Sequence, residues 1–411
     1  MKISRITIKN YRSCSDVKFT PHEKLSVLIG PNGSGKTNIL SAIRLLTALC
    51  YSSRHHYFSE NKPSTSACEL KVTYDVDGTA ITHTARLNIV TNERNRDEIV
   101  SSHESWYMPA ITGNRKRINI PSAYLFEYFQ DSAREGHRPR FRLRHRFIPF
   151  LELTDLNQQV LPALRKIIDF ITKLSYYGAS QFTNPGSSPI SFEVESDAMR
   201  RTGISITGHK RFLFDVYEEN RNKTEVYNEF LGLVGPEGIG LIESIKFDEI
   251  QTSSSYYSVM TGGKVVRKEK VNLLVVPSFE VAGNTLSPSQ LSEGTFKTLA
   301  LIFYLVSDKK AIVMIEEPEV CVHHGLLNSI IELIKTYSEG KQILISTHSD
   351  AVLDKVDVHN VFKVRRVKNK GTEVLNVRNS MGAKDLQALK EYLQNDGSLG
   401  EYWRHGDLES T

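Results

Sequence analysis

Cysteine is scarce in this chain. Only Cys14, Cys50, Cys68 and Cys321 occur among 411 residues, and no two form a C-x-x-C pair. That is too few and too scattered for a disulfide framework, so reduced thiols in a cytoplasmic protein are expected. Long apolar runs are missing as well. No stretch approaches the roughly 18 residues of a membrane span, and the N-terminal Met-Lys-Ile-Ser-Arg-Ile-Thr-Ile-Lys-Asn alternates apolar and polar residues where a signal peptide would be continuously apolar. No membrane association is expected. There is no sustained heptad pattern, internal repeat or low-complexity tract, which argues against a long coiled coil. Neither charge sign dominates: 52 Lys and Arg against 47 Asp and Glu leave +5, too mild a balance to imply a nucleic-acid partner by itself.

What is present reads as ordinary globular protein, 40% hydrophobic and 24% charged, long enough for two or three domains at roughly 100–200 residues each. Strand-like runs fall at 3–9, 17–19 and 25–29, and residues 37–49 carry Ile39, Leu40, Ile43, Leu46 and Leu49 at helical spacing. In the middle, 69–76 and 81–89 read as a hairpin around Asp77-Gly78, 161–174 as an amphipathic helix and 175–179 as a strand. The stretches near 184–189 and 252–263 read as loops. From 285 onward, helices at 294–306 and 326–334 alternate with strands at 311–315, 342–346 and 361–364. Such alternation predicts a parallel α/β sheet.

Gly30-Pro31-Asn32-Gly33-Ser34-Gly35-Lys36-Thr37 fits G-x-x-x-x-G-K-[ST] between a strand and a helix. Glycines let backbone N–H groups turn inward around phosphate oxygens, and the following helix offers its positive end. Lys36 is expected at the β- and γ-phosphates and Thr37 at Mg²⁺. The apolar strand Ile312-Val313-Met314-Ile315 ends in Glu316-Glu317. At the end of a parallel sheet these acids would lie beside the phosphates, Glu316 holding Mg²⁺ and Glu317 orienting or deprotonating the attacking water.

Three further pieces are Leu291-Ser292-Glu293-Gly294-Thr295-Phe296-Lys297 before a helix, Pro318-Glu319-Val320 after the acids, and Ser346-Thr347-His348-Ser349 after a strand. Together with the P-loop, the acids and the opening Ile8-Lys9-Asn10-Tyr11-Arg12-Ser13, they resemble the ABC-type ATPase heads of the RecF, SMC and OLD families. The resemblance covers about 1–50 and 280–370. It implies an α/β P-loop NTPase with an ABC-type central sheet and an inserted α+β lobe. In that layout 1–50 and 281–370 form the head, 51–280 is a lobe or lid that partly contributes head strands, and 371–411 is a C-terminal tail helix. It implies ATP and Mg²⁺ as ligands, with Gly30, Asn32, Gly33, Ser34, Gly35, Lys36, Thr37 and Asn38 around the nucleotide and Arg12 reaching phosphates. Ser292 and Gly294 would contact the γ-phosphate held by an opposing copy in a homodimer or higher homo-oligomer, and His348 would sense the γ-phosphate. Gln181 is chosen as the Q-loop residue near Mg²⁺, with Gln130 as a rival.

The sequence also departs from that pattern. Glu316 stands where SMC heads carry Asp, one methylene longer, although the E-E-P-E form resembles OLD-like heads. About 60 residues follow His348, too few for the Toprim domain of OLD nucleases. The chain therefore resembles stand-alone ATPases encoded beside a separate nuclease or effector in bacterial defence. Alternating arginines at 134–146, near Arg115-Lys116-Arg117, suit duplex DNA, an acidic protein partner or plain solvation. His323-His324 beside Cys321 matches no zinc spacing, and His55-His56 reads as a surface or packing element.

Overall fold

The computed structural model describes residues 1–51, 66–91, 97–112, 117–120, 160–194, 208–259, 265–307, 312–395 and 397–404. The arginine run at 134–146, Arg115, Lys116, His55, His56 and Gln130 lie outside them. The chain divides into two compact units, one of Met1–Ala179, Lys309–Glu319 and Ile334–Thr411, the other of Ser180–Asp308 and Val320–Leu333.

The first unit holds two six-stranded sheets. One orders its strands β2-β1-β4-β5-β6-β7, from β1 (Lys2–Tyr11), β2 (Cys14–Phe19), β4 (Ser66–Val76), β5 (Thr79–Thr91), β6 (Asp97–Tyr107) and β7 (Arg117–Ile120). All its pairings are antiparallel. A register shift between Ile3 and Arg5 explains why Ile3, Ile6 and Ile8 are all buried although the first two are not an even number apart. Asp77 and Gly78 both have positive φ, 52° and 84°, as a two-residue hairpin turn between β4 and β5 requires.

The other sheet orders β16-β15-β3-β14-β13-β8, from β3 (Leu25–Ile29), β8 (Leu174–Tyr177), β13 (Ile312–Glu316), β14 (Gln342–Thr347), β15 (Val361–Val367) and β16 (Gly371–Asn376). Its pairings are parallel except β15–β16. Every residue of β3, β13 and β14 is buried, which is why these strands show no apolar–polar alternation; their apolar stretches are broken only by the buried polar residues Ser26, Glu316, Gln342, Ser346 and Thr347. Helices α1 (Lys36–Tyr51) and α2 (Val160–Thr172) share one core with both sheets. Ile6 and Ile8, Ile39 and Ile43, Ile167 and Ile171, and Leu28, Met314 and Leu344 belong to it. Each such side chain contributes about 1.5–3 kcal/mol on burial.

The second unit pairs β10 (Ser244–Val259), β11 (Val265–Val281) and β12 (Asn284–Leu286) in sequence, with β9 (Phe192–Val194) also on β11. Helices α3 (Gly208–Arg221), α4 (Glu225–Val234) and α5 (Glu293–Ser307) pack through aromatic rings, Phe212 on Phe296 and Phe230 on Phe303, each at 5.3 Å between centroids. Helix α6 (His324–Ser338) begins in this unit.

Two expectations are corrected. Residues 252–259 are strand, not loop, because β10 pairs residue for residue with β11 from Ser244↔Glu280 to Val259↔Val265. The Ser/Tyr run has no apolar alternation, and its partner lies in a separate stretch of sequence. The tail begins as strand β16, not helix. Asn369 and Gly371, at φ 64° and 81°, turn the chain back along β15, and Thr372 and Val374 are buried. Helical residues follow at 377–380, in α7 (Ala383–Gln394) and in α8 (Leu399–Arg404). Among the described residues no helix is long and apolar enough to cross a membrane.

Candidate functional site

Strand β3 delivers the Gly30–Thr37 loop to the end of the parallel sheet, and α1 carries the chain away. Gly33 and Gly35 have φ of +79° and +111°, backbone that an L side chain rarely adopts. Gly30 and Gly35 are also packed against backbone and side chains that leave no room. A Cβ on Gly30 would lie 2.0 Å from Val364 O, and one on Gly35 2.1 Å from Thr372 Oγ1. Helix α1 starts directly after the loop, and the N–H groups at a helix start have no intrahelical partner.

The buried Lys36 ammonium donates to Gly30 O at 2.7 Å and Pro31 O at 3.2 Å. Burial lowers its pKa from the usual lysine value, while Glu317, Glu319 and Glu316 pull the other way. Asn38 Nδ2 donates to Ser13 Oγ at 2.7 Å, Ser13 Oγ lies 2.7 Å from Thr372 Oγ1, and Thr372 Oγ1 donates to Ser34 O at 2.9 Å. The β1–β2 turn and β16 thus brace the loop from outside. Ser34 Oγ is buried with no hydrogen-bond partner.

Parallel pairing of β13 with β14 and β8 brings the acids to the same end. Thr37 Oγ1 donates to Glu316 Oε1. Tyr176 OH donates to Glu316 Oε2 at 2.6 Å, and the Ala179 N–H reaches that oxygen at 3.4 Å. Burial, then this hydrogen bond, pushes the Tyr176 phenol above its ordinary pKa. Glu317 sits at φ 45°, and its N–H donates to Ser346 O at 2.8 Å. His348 Nδ1 is 3.5 Å from Glu317 Oε1 and 3.4 Å from Glu319 Oε1. Glu319 Oε1 also accepts from Thr347 Oγ1 at 2.6 Å and from the His348 N–H at 3.0 Å, while its Oε2 is buried without a partner. The exposed Arg12 sits at φ 50°. Its guanidinium lies 5.4 Å from the Tyr11 ring centre, and its charge acts on the Tyr176 phenol.

One end of the first unit therefore gathers Arg12, the 30–38 loop, Glu316, Glu317 and His348. The remaining expected residues lie in the second unit. Ser292 is exposed, and its Oγ accepts the Thr295 N–H at 3.1 Å, capping α5. Gly294 allows the 321 carbonyl to approach, since a Cβ there would sit 2.3 Å from Cys321 O. Lys297 Nζ donates to Val320 O at 2.9 Å, and Cys321 Sγ to Glu293 Oε1 at 3.2 Å. Gln181 lies beside Gly208 at the start of α3, its Cγ 3.7 Å from a Cβ built there.

Sequence reasoning assigned no role to Ser13, Tyr176, Glu319 or Thr372. Ser13 and Glu319 stand inside quoted motifs and could have been found there. Tyr176 and Thr372 carry no local signal.

The loop, with a buried ammonium, a hydroxyl and carboxylates beside it, suits a nucleoside triphosphate and a divalent cation: the close packing at Gly30 and Gly35 admits no side chain, and Thr37 Oγ1 and Glu316 are hard oxygen donors in contact. That arrangement is a P-loop nucleoside-triphosphate site.

The "AAA ATPase domain" family matches residues 1–127. The family described as "AAA domain, putative AbiEii toxin, Type IV TA system" matches 273–354, which holds Ser292, Glu316, Glu317 and His348. "DNA replication and repair protein RecF" of Prosthecochloris aestuarii is 51% identical over 43 residues, 10% of this chain and 12% of that protein. RecF of Lactococcus lactis subsp. lactis is 39% identical over 74 residues, 18% of this chain and 20% of its own. The chain thus spans a fifth or less of these curated relatives. Among solved structures, the SMC head bound to the C-winged helix domain of ScpA aligns with 93% of this chain and all of its own at 14% identity and TM-score 0.48. The Thermotoga maritima SMC head aligns with 92% of this chain and 99% of its own at 14% and 0.44. Two separate stretches of the chain, 1–127 and 273–354, thus match AAA ATPase-type domains, and a short stretch is similar to RecF.

Proposed function

We propose that this protein binds and hydrolyses ATP as a head that dimerises around the nucleotide, and that the cycle switches a separate nuclease or other effector in anti-phage defence. The observation that carries the hydrolytic part is the convergence of Lys36, Thr37, Glu316, Glu317 and His348 from both ends of the chain. Lys36 and the loop N–H groups would bind the β- and γ-phosphates, and Thr37 and Glu316 would hold Mg²⁺. Bound there, the ion would neutralise phosphate charge. Glu317 would orient or deprotonate the water that attacks the γ-phosphorus as the β–γ bridging bond breaks, giving ADP and phosphate. His348, whose ring lies between Glu317 and Glu319, would sense the γ-phosphate. Ser292 and Gly294 of a second copy would close the nucleotide between protomers, and hydrolysis would reopen it.

The AbiEii-type family over 273–354 supports the defence setting. The RecF matches favour a second reading, an ATP-dependent clamp on duplex DNA in repair. Glu317→Gln is expected to retain ATP and to shift to twice the monomer mass when ATP is added. A monomer at saturating ATP would sink the dimer model. Salt-dependent binding of duplex DNA by the isolated protein, lost on replacing Arg138, Arg140 and Arg142, would select the second reading. Co-purification with a neighbouring gene product would select the first.

A further inference from the structure

Glu316 is an acid with a long arm. It has one more rotatable bond than aspartate, so its carboxylate needs more than its backbone to fix it. Both oxygens are engaged, Oε1 by Thr37 Oγ1 and Oε2 by Tyr176 OH at 2.6 Å, with the Ala179 N–H at 3.4 Å.

The sheet explains why a tyrosine can do this. Met314 is paired with Tyr176 in the β13–β8 register, and Glu316 is two residues beyond Met314, on the same face. A diagonal neighbour on one face is within reach of an aromatic side chain. Gly178 leaves room beside the ring, since a Cβ there would lie 3.3 Å from the Tyr176 ring, a tight approach, and 3.5 Å from Glu316 Oε2, an ordinary contact. The Arg44 guanidinium of α1 lies 5.0 Å from the centre of the Tyr176 ring, a cation–π contact. The ring is thus held from the helix that carries Lys36 and Thr37 while its hydroxyl is spent on Glu316.

We infer that Tyr176 is a positioning residue that fixes the Glu316 carboxylate for the divalent cation, and so compensates for glutamate at this place. The inference rests on the reading of Glu316 as a metal-holding acid. In this role Tyr176 acts through Glu316, the group that its hydroxyl holds.

The test uses the full chain and a direct measure of metal binding. Mn²⁺ affinity is read from loss of the free-ion EPR signal in the presence of saturating AMPPNP. Metal-free affinity for mant-ATP and the unfolding midpoint are measured beside it. Tyr176→Phe is expected to weaken Mn²⁺ binding about 10- to 100-fold, the range for removing a partner of a metal-holding group, with metal-free nucleotide affinity and unfolding midpoint unchanged. In a Glu316→Asp background, whose carboxylate falls short of the phenol, the same substitution should change Mn²⁺ affinity less than about twofold. Unaltered Mn²⁺ affinity in Tyr176→Phe, equal losses in the two backgrounds, or a matching loss of metal-free nucleotide affinity would each overturn the inference. Glu316→Gln separates the two claims. If it keeps full Mn²⁺ affinity, the reading of Glu316 itself fails; if it loses it while Tyr176→Phe does not, only the role of Tyr176 fails.

Discussion

Gln342 and Ile3 close a two-way hydrogen-bonded pair across 339 residues of sequence: the Ile3 N–H donates to Gln342 Oε1 at 2.9 Å, and Gln342 Nε2 donates back to Ile3 O at 3.0 Å. Gln342 Nε2 also reaches His22 O at 2.8 Å. The side chain is 2% exposed, so it acts as a buried staple from the parallel sheet to the first strand of the antiparallel one. Gln342→Ala would leave buried backbone groups of Ile3 without partners, each costing about 1–3 kcal/mol. Urea unfolding should show a loss of about 2–4 kcal/mol at an unchanged m-value. A loss under about 0.5 kcal/mol would mean that water takes over both bonds.

The loop glycines should differ from one another. At Gly33 only the positive φ opposes a side chain, because nothing lies within 4 Å of a Cβ there. Gly33→Ala should cost about 1–2 kcal/mol of stability. At Gly35 the φ of +111° is further from the left-handed region that other residues tolerate, and the approach to Thr372 Oγ1 and Ser13 Oγ adds to it. Gly35→Ala should therefore be the more destabilising of the two in denaturant unfolding, and should weaken mant-ATP binding more than tenfold (~1.4 kcal/mol). Equal effects at the two sites would show that the bracing by Ser13 and Thr372 is dispensable.

Glu319 ties the loop after the acids to the loop that carries His348, through Thr347 Oγ1 and the His348 N–H. Replacing Glu319 with alanine should let His348 drift from Glu317. A shift of about 1 Å near the reacting groups lowers turnover by up to about 100-fold. Steady-state assays should show kcat falling in that range with the KM for ATP within about threefold of the parent. A change confined to KM would assign Glu319 to nucleotide binding.

Thiol labelling should sort the cysteines and report on the capping region of α5. Cys321 is exposed, whereas Cys14 and Cys68 are buried. Burial pushes the Cys14 thiol up to about 11, so it should resist iodoacetamide at pH 8. The Cys321 thiol is also raised, first by its hydrogen bond to the Glu293 carboxylate. A neighbouring anion disfavours the thiolate, and the thiolate is the species that reacts. Cys321 should therefore be labelled before Cys14 and Cys68, with a rate midpoint above the usual thiol value. In Glu293→Gln the anion is gone and that midpoint should move to lower pH. Peptide mass spectrometry across a pH series reads both outcomes.

Much of this protein is written locally. The glycine spacing at 30–35, the apolar stretches of β3, β13 and β14, and the acids that end β13 follow from rules acting within a few residues: positive φ favours glycine, doubly buried strands favour apolar residues on both faces, and a turn at Asp77-Gly78 needs two positive φ values. Other features depend on partners outside the local stretch, some of them hundreds of residues away. The Ser/Tyr stretch of β10 is strand because β11 pairs with it, the buried Gln342 side chain is satisfied because Ile3 donates to it and both Ile3 and His22 accept from it, and Thr372 braces the phosphate loop because β16 folds back along β15. The chemical identity of the site was therefore set by composition at short range. Its geometry, including which tyrosine steadies Glu316 and which carboxylate holds the His348 loop, was settled only when strands distant in sequence came into register.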